Sequence, residues 1–111
     1  MKTLILGLAL CATTMAHASF IDGNKLHKYL ISNSDIENTH AWGYIAAIGD
    51  AFNGSTHCIP EGVSVGQLRD VVKKFLTDTP EVRHRPADVI VYVILKNTYP
   101  CAEKKKGKPG A

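Results

Sequence analysis

The sequence predicts a small all-α protein, a bundle of about four helices closed by one disulfide. Three observations predict it: apolar residues recur at helical spacing in three separate segments, capping residues stand before two of them, and only one stretch has strand-like composition. A lone strand leaves its backbone N–H and C=O groups unpaired, so that stretch by itself cannot make a sheet. The 111 residues, 45% hydrophobic and 21% charged, make one ordinary globular domain, which excludes disordered, collagen-like and solenoid architectures. No run approaches the roughly 20 apolar residues that a membrane-spanning helix needs.

The first eighteen residues stand apart from the fold. Lys2 supplies a short positive start, Leu4 to Ala12 form an apolar run, and Ala16-His17-Ala18 is an A-x-A cleavage pattern. Together they predict a secretory signal peptide over 1–18 and an exported mature chain. The competing reading, lipidation of Cys11, would place the large Leu10 where a small residue is needed and leave a leader of only ten residues.

The mature elements follow in order. Asp22-Gly23-Asn24 is a turn leading into a short helix, whose face is Leu26, Tyr29 and Leu30 at i, i+3, i+4. Ser32-Asn33-Ser34 breaks it, and Ser34 with Glu37 forms an S-x-x-E capping box for a second helix. That helix offers Trp42, Ile45, Ile48 and Phe52 as its apolar face, with Ala41, Ala46 and Gly49 as small neighbours that admit a close partner helix. Asn53-Gly54-Ser55 ends it with strong turn chemistry. Gly62 is placed for a positive φ, and Ser64 with Gln67 caps a third helix whose apolar stripe is Val65, Leu68, Val71, Val72, Phe75 and Leu76. Val89 to Leu95 is the strand-like run. Pro86 in a first turn and Pro100 beyond the end frame it equally well as a helix. With nothing to pair with, it reads as a helix that is apolar nearly all round and therefore buried, in part against a second subunit.

Cys11 leaves with the leader, so the mature chain keeps Cys58 and Cys101. In an oxidising compartment they have one connectivity, and a bridge over forty-odd residues stabilises by about 4 kcal/mol. A bridged Cys58 is not a nucleophile. The formal charge of +3 is unevenly placed. Residues 19–101 carry 8 basic and 9 acidic side chains, whereas Lys104, Lys105, Lys106 and Lys108 crowd a tail over 102–111 that reads as a solvated, disordered end. A body that is nearly neutral offers no face for nucleic acid.

Longer motifs carry a resemblance. Gly23-Asn24-x-Leu26, Gly43-Tyr44-Ile45-Ala46, the stretch from Cys58-Ile59-Pro60-Glu61-Gly62-Val63 through Gly66-Gln67-Leu68-Arg69-Asp70, Pro80-Glu81-x-Arg83-His84, and Tyr99-Pro100-Cys101 stand in order across about residues 22–101. In these the chain resembles the Rap/Tai immunity proteins of type VI secretion. The resemblance implies a small helical periplasmic protein, often dimeric, that binds and blocks a toxic effector, typically a peptidoglycan amidase, and is not itself an enzyme. It also implies that Val89 to Leu95 is helical. Members usually carry two further cysteines where this chain has Leu30 and Ala41. Loss of that bridge implies Cys58–Cys101 as the surviving pair, with Leu30 packed near Ala41.

No catalytic or metal constellation competes with a binding role, and no cofactor or metal is expected. His40, His57 and His84 lack ligand spacing and read as surface or capping residues. No Ser-His-Asp or paired-carboxylate grouping stands out. A protein that plugs a cleft needs a projecting, rigid segment. Two qualify: Asn53, Gly54, Ser55, Thr56 and His57, based on Cys58, and the connection carrying Arg83, His84 and Arg85 between Pro80 and Pro86. The alternative function is a phage- or prophage-encoded periplasmic protein of the same fold, blocking another wall hydrolase or superinfection.

Overall fold

The computed structural model describes residues 19–103; the expected leader over 1–18 and the lysines from 104 onward lie outside the described residues. Four helices follow in order: α1 (Gly23–Ile31), α2 (Asp35–Phe52), α3 (Val65–Asp78) and α4 (Ala87–Thr98), with a 3-10 turn at Pro80–Val82 before α4. The described residues form no strand. Val89 to Leu95 is helical: Ile90, Val91, Ile94 and Leu95 face the core, and the backbone satisfies itself within the helix.

The caps are those that the side chains dictate. Asp22 accepts from the Lys25 N–H at 2.8 Å and starts α1. At α3 the box is complete, with Ser64 Oγ accepting from the Gln67 N–H and Gln67 Oε1 accepting from the Ser64 N–H. At α2 only one half of the expected box forms. Ser34 Oγ accepts from the Glu37 N–H, while Asn38 Nδ2 donates to the Ser32 and Ser34 carbonyls and locks the corner between α1 and α2. Gly62 has the expected positive φ, +87°.

Each helix touches the other three, around a core that includes Leu26, Leu30, Ile45, Val72, Leu76 and Leu95. Leu30 and Ala41 are both buried in it. One expectation about a face needs correction. On α2 the buried stripe is Ala41, Ile45 and Gly49, whereas Trp42 and Phe52 are each 40% exposed. The small residues set the packing distance: a Cβ on Gly49 would stand 3.3 Å from the Leu68 side chain. Large side chains beside such a close approach are pushed to its edges. On α4, Val89 and Val93 are 48% and 44% exposed, so the helix is not fully covered within one protomer.

Candidate functional site

The turn after α2 is a hydrogen-bonded knuckle. Asn53 leaves the helix in an extended conformation and Gly54 turns with φ +87°. The Gly54 N–H donates to the His57 carbonyl at 2.7 Å, and the Ser55 and Thr56 N–H groups donate back to the Phe52 carbonyl. The Asn53 side chain accepts from the Ile59 N–H at 3.0 Å. At the base, the Cys58 N–H donates to the Tyr99 carbonyl and Cys58 is bridged to Cys101, with Cα atoms 4.8 Å apart. Asn53, Gly54 and Ser55 stay exposed at the tip. Phe52 meets Tyr92 edge-to-face beside it, ring centroids 5.3 Å apart.

His57 does not sit on that tip. It is 0% exposed, the one fully buried polar side chain among the described residues, and so it is a capping residue of the interior and not of the surface. Its Nε2 lies 2.8 Å from the Gly49 carbonyl. A carbonyl can only accept, so Nε2 carries the proton and donates. The imidazole pins the knuckle to the last turns of α2 from beneath. Nδ1 and the neighbouring Thr56 Oγ1 are buried without a partner.

The second expected segment is a strap woven into the N-terminus of α1. The Gly23 N–H donates to the Arg85 carbonyl and the Asn24 N–H to the Arg83 carbonyl, at 2.9 and 2.8 Å. The Ala87 N–H donates to the Ile21 carbonyl. Arg83 turns inward: its Nε and Nη2 donate to the Leu76 and Thr77 carbonyls, completing the C-terminus of α3. Helix C-termini leave such carbonyls without intrahelical donors, and a cation there also meets the negative end of the helix dipole. His84 and Arg85 remain exposed. Burial, and after it the charges of Arg83 and Lys73, hold the His27 imidazole below its ordinary pKa.

The two segments do not converge. The knuckle is tied to Tyr99, at the C-terminal end of α4, and the strap runs into Pro86, at its N-terminal end. Twelve helical residues span about 18 Å, so one narrow cleft cannot take both from one protomer. Two further features went unread in the sequence. One is a ridge of Val89 and Val93 along α4 with apolar hollows on either side, one containing Phe20 and Tyr44 and the other Phe75 and Val82. The other is a Trp42–Arg69 stack at the corner of α1 and α2.

The order of elements, the Cys58–Cys101 closure of the knuckle and the strap on α1 all lie within the segment matched by the model of the Rap1a immunity proteins, residues 9–101. The chain belongs to the Rap1a immunity protein family. No curated protein matches it. Family membership gives this Rap1a chain a toxic effector as its partner. Among its described residues no three His, Cys, Asp or Glu side chains converge to hold a metal, and no helix is long and apolar enough to cross a membrane.

Proposed function

We propose that this Rap1a protein is exported to the periplasm and neutralises a cell-wall-degrading, amidase-type effector of type VI secretion by binding it, without catalysis of its own. The knuckle Phe52–His57 is the inhibitory element. The observation that carries this is its order before any partner arrives. Backbone hydrogen bonds, the buried His57 and the disulfide already hold the chain in one conformation. A segment ordered in advance loses less entropy on binding. The strap is the weaker candidate, because Arg83 is occupied inside the molecule and only His84 and Arg85 face outward.

The same reading includes a homodimer through the α4 ridge. An exposed row of Val89 and Val93 flanked by apolar hollows is self-complementary about a twofold axis, since each ridge can enter the other's hollow. Phe20, 99% exposed beside Val89, would extend that contact.

The test is protection of cells that produce the cognate effector. Replacing Asn53 to Thr56 by a Gly-Ser linker should abolish protection while the folded protein persists, and Arg85→Glu should weaken it far less. Full protection by the linker variant would remove the knuckle from the interface. The Arg83 position is avoided, because its loss uncaps α3 and confounds folding with binding.

A further inference from the structure

The tip of the knuckle is one-sided in its hydrogen bonding. The N–H groups of Gly54, Ser55 and Thr56 all donate inward, the first to the His57 carbonyl and the other two to the Phe52 carbonyl. The Ser55 hydroxyl donates to that same Phe52 carbonyl at 3.0 Å. Acceptors are in surplus. Among the described residues nothing donates to the carbonyls of Asn53, Gly54 and Ser55, all three exposed residues. Asn53 commits its Oδ1 to the Ile59 N–H, which leaves its Nδ2 as the one free side-chain donor of those three. The deficit of donors continues underneath. With Nε2 donating to Gly49, His57 Nδ1 is itself an acceptor, and it is buried without a donor.

Charge has the same sign. The knuckle follows the C-terminus of α2, the negative end of an 18-residue helix dipole. The last turn of that helix holds no basic side chain. It holds Asp50, which is exposed and belongs to neither ion pair of the described residues. Asn53 to Thr56 carry no charge of their own. The lysines nearest in the chain stand at the base: Lys96 in the last turn of α4 and, outside the described residues, those from Lys104 onward, beyond the bridged Cys101. A partner cleft lined by carboxylates would set acceptor against acceptor and leave both desolvated without a donor. Donors and positive charge complement the tip instead. We infer that the knuckle seats in an electropositive mouth on the effector, lined by Arg or Lys side chains, and that Asp50 steers it there. That partner chemistry presupposes the inhibitory role proposed for the knuckle.

The probe is the purified effector against which the parent protein protects cells. Its association with the full mature chain is followed by stopped flow at about 50 mM and about 300 mM salt. Association of the parent should slow about threefold or more at the higher salt. At the lower salt, Asp50→Asn should slow it about threefold and Asp50→Lys about tenfold, with a shallower salt dependence in both. Neither variant should melt below the parent, because losing a carboxylate or gaining an ammonium at a helix C-terminus favours the dipole. A slower complex is then not a folding defect. An Asp50→Lys protein that associates as fast as the parent overturns the inference, and one that associates faster overturns it by revealing an acidic partner surface. A loss of affinity confined to the dissociation rate, with the salt dependence unchanged, also overturns it, since that is the removal of a neutral contact. The Asn53–Thr56 linker variant keeps the two readings apart. If it fails to bind while Asp50→Lys binds as the parent does, the knuckle is the plug and its seat is not electropositive. If the linker variant itself binds as the parent does, the knuckle is not the plug and the electropositive seat falls with it.

Discussion

At Gly23 a hydrogen in place of a side chain lets α1 begin directly against the strap. A Cβ there would stand 2.7 Å from the Arg83 carbonyl oxygen and 2.8 Å from its Cα, distances that backbone atoms cannot relieve. Alanine ordinarily stabilises a helix relative to glycine by up to about 1 kcal/mol, but here the clash decides the sign. We expect Gly23→Ala to destabilise the protein by about 1–3 kcal/mol, measured as a lowered denaturant midpoint. His27 gives a second prediction. In the fold its pKa is lowered, first by burial and then by the Arg83 and Lys73 charges, so the unfolded chain binds its proton more tightly. The resulting stability is complete above the ordinary value of 6.5 and is lost as pH falls through the lowered folded value. Between about pH 7.5 and about pH 5.5 the melting temperature of the parent should fall more than that of His27→Gln. Residue-level chemistry was partly legible in the sequence. Gly62 and the Ser64–Gln67 pair state their roles locally, because a positive φ and a capping box are matters of three or four neighbouring residues. The burial of His57 was not legible, since its partner, the Gly49 carbonyl, is brought to it only when the knuckle folds back.

The helices themselves test how far periodicity reaches. The stripe of α3 buries Leu68, Val72 and Leu76 as its spacing predicts, because its other face carries Arg69, Asp70, Lys73 and Lys74. On α2 the apolar residues lie nearly all round, so periodicity had no contrast to use. The choice went to Ala41, Ile45 and Gly49, the residues small enough for close approach of a neighbour. On α4 the composition says only that much of the helix is apolar. Which edge stays outside depends on where α2 and α3 end, and it leaves Val89 and Val93 as the ridge. Lysine at both positions should leave the protomer folded, because half-exposed surface changes cost within about 0.5 kcal/mol each. It should also convert the dimer of the proposed function to a monomer. A dichroism melt checks the first statement and sedimentation equilibrium at micromolar concentration the second, and a parent that is itself monomeric there would remove the ridge as an interface.

Over the whole molecule, the Cys58–Cys101 bridge closes a ring across a sequence separation of 43 and joins the knuckle to the end of α4. A domain of this size buries a limited core, so the bridge is a large share of the stability. The Cys58→Ser, Cys101→Ser double variant should lose about 4 kcal/mol in equilibrium unfolding. Amide exchange should rise at Gly54 and Cys58, whose N–H groups close the knuckle and its base. If exchange there is unchanged, the hydrogen bonds and His57 alone hold the inhibitory turn.

By itself the sequence determined the helical class, the element order, two of the caps, the disulfide and the family, because each is written in local spacing or in contiguous motif. Only the tertiary structure decided which of the expected site residues are free to meet a partner. Arg83 and His57 look identical in the sequence to Arg85 and Asn53, as polar residues on turns. Folding brings carbonyls from α3 and α2 against the first two and leaves the others exposed, Asn53 bonded only to the nearby Ile59 N–H. Those carbonyls come from residues seven and eight positions away, at helix ends whose orphan acceptors need a donor. Which side chain supplies it depends on where the chain returns, and that is a property of the packed molecule.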